Sequence, residues 1–173
     1  DLMKAFSKND LIRFQEYLGS VEKGEVKINA GAVYPYDITK NLRQGNTKGA
    51  NLQWDALPNY MDGNTERLLP MVDVSGSMTC PAGDNPNVTC LDVAISLGLY
   101  ISERNEGMFK DAFITFTSNP TLQYLKGTLS ERIKQISGPV GYDTNIERAF
   151  EMVLTKAVEA KVPSEEMPTM IIV

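Results

Sequence analysis

The amino-acid sequence predicts a mixed α/β protein, in which a mostly parallel sheet with helices on both faces follows a small, mainly helical segment. Three observations predict it. From Leu68 onward, short runs of β-branched and aromatic residues alternate with apolar patterns of helical period, the signature of a parallel sheet joined by crossover helices. Residues 1–62 show no such alternation and read as helical and irregular, so the chain divides into a helical segment over 1–62 and an α/β domain over 63–173. Last, the apolar run Leu68-Leu69-Pro70-Met71-Val72 leads directly into Asp73-Val74-Ser75-Gly76-Ser77, gathering oxygen-bearing side chains where a strand ends. Open α/β sheets hold their ligands at that end of their strands.

Taken in order, Asn9 or Asp10 is placed to cap a helix through Leu11, Phe14 and Leu18, an apolar stripe that ends near Gly19. Tyr34 to Leu42 begins a second short helix, and Gln44 to Asn51, rich in Gly and Asn, is expected to be a loop. Trp54, Leu57 and Met61 share one helical face and are expected to pack in a core. Leu68 to Val72 is the first strand, with Pro70 marking its start or a bulge, since proline donates nothing to a ladder. Thr89-x-x-Asp92 has the form of a capping box and opens a helix through Ala94, Ile95, Leu97, Leu99 and Ile101. Asp111 to Thr117 is a strand, and Thr128-x-x-Glu131 opens a short helix to Ile136. Thr144-x-x-Glu147 opens the clearest helix, with Ile146, Ala149, Phe150, Val153, Leu154, Ala157 and Val158 at core-facing spacing and Pro163 beyond its end. Thr169 to Val173 reads as the last strand.

Composition narrows the chemistry. The 173 residues contain no histidine, which removes Ser-His-Asp and Cys-His nucleophile pairs and the usual zinc sites together. The net charge of −5 sits wholly in 63–173, because 1–62 balances eight basic against eight acidic side chains. An acidic surface repels phosphate backbones, so the α/β domain is a poor candidate for nucleic-acid binding. No apolar stretch reaches the roughly 20 residues of a membrane helix, and no secretory segment is evident, so a cytoplasmic location is expected. Cys80 and Cys90 bracket a segment rich in Pro, Gly and Asn. Free thiols are the expectation there and a bridge the alternative, since one pair is no disulfide framework and a cytoplasmic setting keeps thiols reduced. The sequon Asn87-Val88-Thr89 is read as coincidental without a signal peptide.

Asp73, Ser75 and Ser77 are spaced two apart, so a turn after the strand folds one carboxylate and two hydroxyls toward one point, a donor set suited to a hard divalent cation. Gly76 is read as letting the backbone turn sharply between the serines. Plain turn chemistry is the competing reading, because Asp, Ser and Gly favour loops for local reasons. A second loop, Gly141-Tyr142-Asp143-Thr144-Asn145, supplies a further hydroxyl just before a strongly periodic helix and shifts the balance toward a metal site.

Together these motifs resemble the metal-ion-dependent adhesion site of von Willebrand factor A domains, Asp-x-Ser-x-Ser in one loop and Thr in a later one. The resemblance implies a Rossmann-like sheet, Mg2+ held by Asp73, Ser75, Ser77 and Thr144, and a partner's carboxylate completing the shell, with Asp73 working through water. Asp143 and Asn145 flank Thr144 and are the candidates for contact with that partner. A further acidic ligand of the family comes after the next strand and is expected beyond Val173, so the sheet is expected to be incomplete, with an exposed edge open to oligomerisation. The stretches Leu91 to Tyr100, Phe116 to Pro120 and Asp143 to Asn145, with Lys27 to Ala32 and Tyr34 to Ile38 before them, look like an uncharacterised branch similar to the A domain of TROVE-type Ro ribonucleoproteins. That likeness implies RNA binding only through regions outside this chain.

The expected function is therefore a metal-dependent protein-binding module that is not an enzyme. An accessory A domain of a Ro-like RNA scaffold is the alternative. A metal-assisted hydrolase using Asp73 or Ser75 ranks last, because no histidine base, Gly-x-Ser-x-Gly elbow or P-loop is present.

Overall fold

A computed structural model describes residues 5, 8–116, 119–136 and 145–173, and the chain forms two compact units, 1–58 and 59–173.

The first unit is a small helical cluster. Helix α1, Leu11–Glu22, starts where the Asp10 side chain accepts the Arg13 amide, and it buries Phe14 and Leu18. Leu11, expected on the same stripe, is 58% exposed. The helix also continues through Gly19 and stops after Glu22, with Gly24 in the left-handed conformation at φ 74°. A single glycine costs about 1 kcal/mol in a helix, a penalty small enough for the burial of Phe14 and Leu18 to offset. Helix α2, Pro35–Arg43, opens on a proline whose missing N–H would have had no helical partner. The Gln44 to Asn51 stretch, expected to be a loop, is largely helix α3, Thr47–Asp55, capped by the Asn46 side chain on the Gly49 amide at 3.2 Å. Ile38, Ala50, Trp54 and Leu57 join Phe14 and Leu18 in the interior. Because α3 ends at Asp55, Leu57 and Met61 lie beyond the helix on which they were expected.

The second unit is built on a four-stranded sheet made of β1, Leu68–Asp73, β4, Ala112–Phe116, β5, Thr121–Tyr124, and β6, Met170–Ile172. Their order across the sheet is β5-β4-β1-β6. A separate hairpin, β2, Pro81–Ala82, and β3, Asn85–Thr89, stands apart from it. Strand β1 lies parallel to both β4 and β6, while β5 runs antiparallel to β4. Pro70 is buried inside β1, at the point where the register with β6 ends and that with β4 begins at Met71. The missing donor thus falls where the strand changes partner, which is how a central strand tolerates it.

Both faces are covered, and the alternation of side chains along β1 decides by what. Leu69 and Met71 join Ala112, Ile114 and Phe116 in a core closed by Ala149 and Val153 of helix α6, Ile146–Glu159. Val72 and Phe113 face helix α4, Cys90–Arg104, at Gly98, where an added Cβ would come within 2.5 Å of Val72 and 2.8 Å of Phe113. Glycine here permits close helix–sheet approach. Helix α5, Leu129–Ile136, is tied down by the buried Arg132, which donates to the Leu125 carbonyl at 2.8 Å and to Asp111 Oδ1 at 2.7 Å. The second apolar stripe of α6, expected in the core, stays uncovered: Ile146, Phe150, Leu154 and Val158 are all exposed. Phe150 and Leu154 border an open groove against Met167, Pro168 and Ile171. Among the described residues no helix is long and apolar enough to cross a membrane.

Candidate metal site

Strand β1 ends at Asp73, level with Phe116 of β4, and the last ladder contact runs from the Val74 amide to the Phe116 carbonyl at 3.5 Å. Beyond it the chain folds into a 3-10 turn, Gly76–Thr79, held by the Met78 amide on the Ser75 carbonyl and by the Thr79 hydroxyl on the Gly76 carbonyl. The Asp73 carboxylate reaches forward and accepts the Ser75 amide through Oδ1 at 2.7 Å. Ser75 stands at the N-cap of the turn, yet its side chain makes no capping bond. Instead Ser75 Oγ lies 2.9 Å from Ser77 Oγ. Ser75 is buried, Asp73 half-buried and Ser77 exposed, so the group opens from the sheet end toward solvent.

The structure thus brings together Asp73, Ser75 and Ser77. Thr144 and Asp143 lie outside the described residues. Asn145 is described, and its side chain accepts the Arg148 amide at 3.0 Å as the N-cap of α6. The helix therefore opens on Asn145, one residue later than the Thr144-x-x-Glu147 pattern suggested, and the Asn145 carbonyl oxygen is committed to that cap. Gly76 has no positive φ, and a Cβ there would meet open space, so the turn does not depend on its freedom. Among the described residues no three His, Cys, Asp or Glu side chains gather as a metal site. A cation at this end of β1 would accordingly rest on the paired Ser75 and Ser77 hydroxyls together with the Asp73 carboxylate. Such a shell suits a hard cation of the magnesium class and leaves most of its charge uncompensated.

The segment after the turn is a two-stranded ribbon rather than a plain loop. Strand β2 pairs antiparallel with β3 across a bend that places Gly83 at φ 59°. The ribbon feeds straight into α4, whose start is closed by Thr89 and Asp92: the Thr89 hydroxyl accepts the Asp92 amide, and Asp92 Oδ2 takes the Thr89 amide at 2.9 Å. Cys80 and Cys90 are free thiols, as expected, but their sulfurs lie 3.5 Å apart. The hydrogen bond with Cys80, followed by burial, raises the Cys90 pKa above its usual value. The sequence reading held a bridge only as the alternative and did not foresee this approach across a hairpin. Its one available signal was the bracketing of a turn-rich segment by two cysteines, a pattern that a hairpin turns into direct opposition.

The family model described as "Domain of unknown function (DUF7788)" matches residues 68–173. An uncharacterised protein of Acanthamoeba polyphaga mimivirus is 29% identical over 160 residues, which cover 89% of this chain. The chain spans 27% of that relative's length. No solved structure matches the chain.

Proposed function

The chain belongs to the DUF7788 family, and from that premise, which names no activity, we propose that residues 59–173 form a von Willebrand factor A-like module that binds a protein partner through a divalent cation. Asp73, Ser75 and Ser77, with Thr144, would hold Mg2+, and a carboxylate of the partner would complete its shell. The observation that carries the reading is the pair of serine hydroxyls, 2.9 Å apart in a turn whose N-cap serine does no capping and whose Ser75 amide is held by Asp73. Two hydroxyl oxygens held that close are within reach of one cation.

The topology supports the same reading. Helix α6 runs into β6, which lies parallel to β1, so the start of α6 is directed toward the carboxyl end of the sheet, where Asp73 stands. Helix α6 covers the face of Leu69 and Met71, and strand alternation puts Asp73 on that face too. The loop that precedes α6 is therefore the one that could bring a Thr144 hydroxyl to the site. Binding is proposed because one carboxylate and neutral hydroxyls leave most of the cation's charge uncompensated and so attractive to an outside anion.

Isothermal calorimetry with Mg2+ and with Mn2+ on the wild type, Asp73→Ala and Thr144→Ala tests this. The wild type should bind more than about tenfold tighter than either variant, roughly 1.4 kcal/mol or more. Wild-type affinity no higher than that of the variants would overturn the proposal.

A further inference from the structure

We propose that Cys80 and Cys90 form a reversible thiol–disulfide site, closed by exchange with a small disulfide of the glutathione class. The two residues stand at the open end of the β2–β3 ribbon, where the Cys90 amide donates to the Cys80 carbonyl at 3.0 Å and fixes the two backbones opposite one another. Their sulfurs are 3.5 Å apart, close enough that bond formation calls for small side-chain rotations and no refolding. Exposure assigns the roles. Cys80 is exposed and meets an incoming disulfide first, whereas Cys90, half-buried as the first residue of α4, is placed to resolve the adduct.

The exchange balances. The Cys80 thiolate attacks one sulfur of the small disulfide and expels the other half as a thiolate, leaving a mixed disulfide on Cys80. Cys90, deprotonated in turn, attacks the Cys80 sulfur and expels the second half. Two protein thiols and one small disulfide become one protein disulfide and two small thiols, with both protons taken up by the released thiolates. The bond would tie the ribbon's base to the start of α4 directly behind the turn that carries Ser77. The site stands on the ribbon geometry and does not depend on the metal reading.

Incubation of the whole chain with oxidised glutathione, followed by alkylation of remaining thiols and intact-mass measurement, reads the outcome. The expected product is a monomer that has lost both titratable thiols without gaining glutathione and recovers them in dithiothreitol. Cys90→Ser should instead keep a glutathione adduct on Cys80. Oxidation of the wild type should raise the Tm by roughly 5 °C, from the closed loop's effect on the unfolded chain. Wild-type protein that retains glutathione on either cysteine, forms disulfide-linked dimers, or leaves both thiols unmodified overturns the inference.

Discussion

Two acid-and-hydroxyl motifs flank the β2–β3 ribbon, and they use the same chemistry in opposite ways. On one side Thr89 and Asp92 engage each other: Asp92 Oδ2 takes the Thr89 amide at 2.9 Å and the Thr89 hydroxyl at 2.8 Å, while Thr89 Oγ1 takes the Asp92 amide at 3.1 Å. Asp92 is buried, and the motif is spent on starting α4. On the other side Asp73 engages one backbone amide, and the two serine hydroxyls turn to each other instead of to the backbone. The difference lies in the element that each motif introduces. A long helix follows Thr89, and its start takes both side chains as acceptors, whereas neither serine side chain caps the short 3-10 turn after Ser75, which leaves those oxygens over. Leftover oxygens at a strand's carboxyl end are what a ligand site is made from.

The contrast breaks most severely if the ground beneath both motifs moves. Gly98→Ala forces a methyl against Val72 and Phe113 between α4 and the sheet, and should cost about 2 kcal/mol in denaturant unfolding, with Mg2+ binding weakened as β1 shifts. Unchanged stability would mean that the helix–sheet approach has slack that the contacts do not show. Asp92→Ala sharpens the contrast. It should lower stability by about 1 kcal/mol through loss of the cap while Mg2+ affinity by calorimetry stays at the wild-type value, the mirror image of Asp73→Ala. Equal loss of metal affinity in both variants would erase the distinction between a structural and a binding carboxylate.

The smallest effect belongs to an exposed relation of the Thr89 motif. Glu131 accepts the Thr128 amide at 2.8 Å and the Thr128 hydroxyl at 3.0 Å at the start of α5. The backbone amide first, then the hydroxyl, lowers its pKa below the usual carboxylate value. A lowered folded-state pKa means that this contribution is present above the unfolded-state pKa and is lost as pH falls through the folded one. Carboxyl chemical shifts monitored by NMR should place the Glu131 titration below that of a free glutamate, and Glu131→Gln should slightly flatten the acid limb of the stability profile. A Glu131 titration at the unperturbed position would show that this cap does not hold in solution.

Much of the fold was legible because periodicity and capping are local. The strands at Leu68 and Ala112, the box at Thr89 and Asp92, and the Asp10 cap all depend on residues within one turn of each other. The Gly and Asn-rich Gln44 to Asn51 stretch was misread for the opposite reason. Its composition favours a loop, but burial of Ala50 and Trp54 stabilises α3 through contacts distant in sequence. The α6 stripe was misread in the other direction, since period alone marks Ile146, Phe150, Leu154 and Val158 as core when only Ala149, Val153 and Ala157 are buried. In the candidate site, the grouping of Asp73, Ser75 and Ser77 was readable from spacing. That Ser75 is released from capping and paired with Ser77 was not, because it depends on the hydrogen bonds of the turn.

By itself the sequence determined the α/β alternation, the strand that ends in Asp73, and the absence of histidine chemistry, all properties of residue order and composition. Only the tertiary structure decided that β1 is a central strand holding Pro70 where its partners change, and that α4 and α6 take opposite faces. It also decided that Cys80 and Cys90 meet across a ribbon. The physical reason is range: side-chain period and caps are set over a few residues, whereas strand order, helix placement and the approach of two sulfurs are set by burying surface that distant segments share.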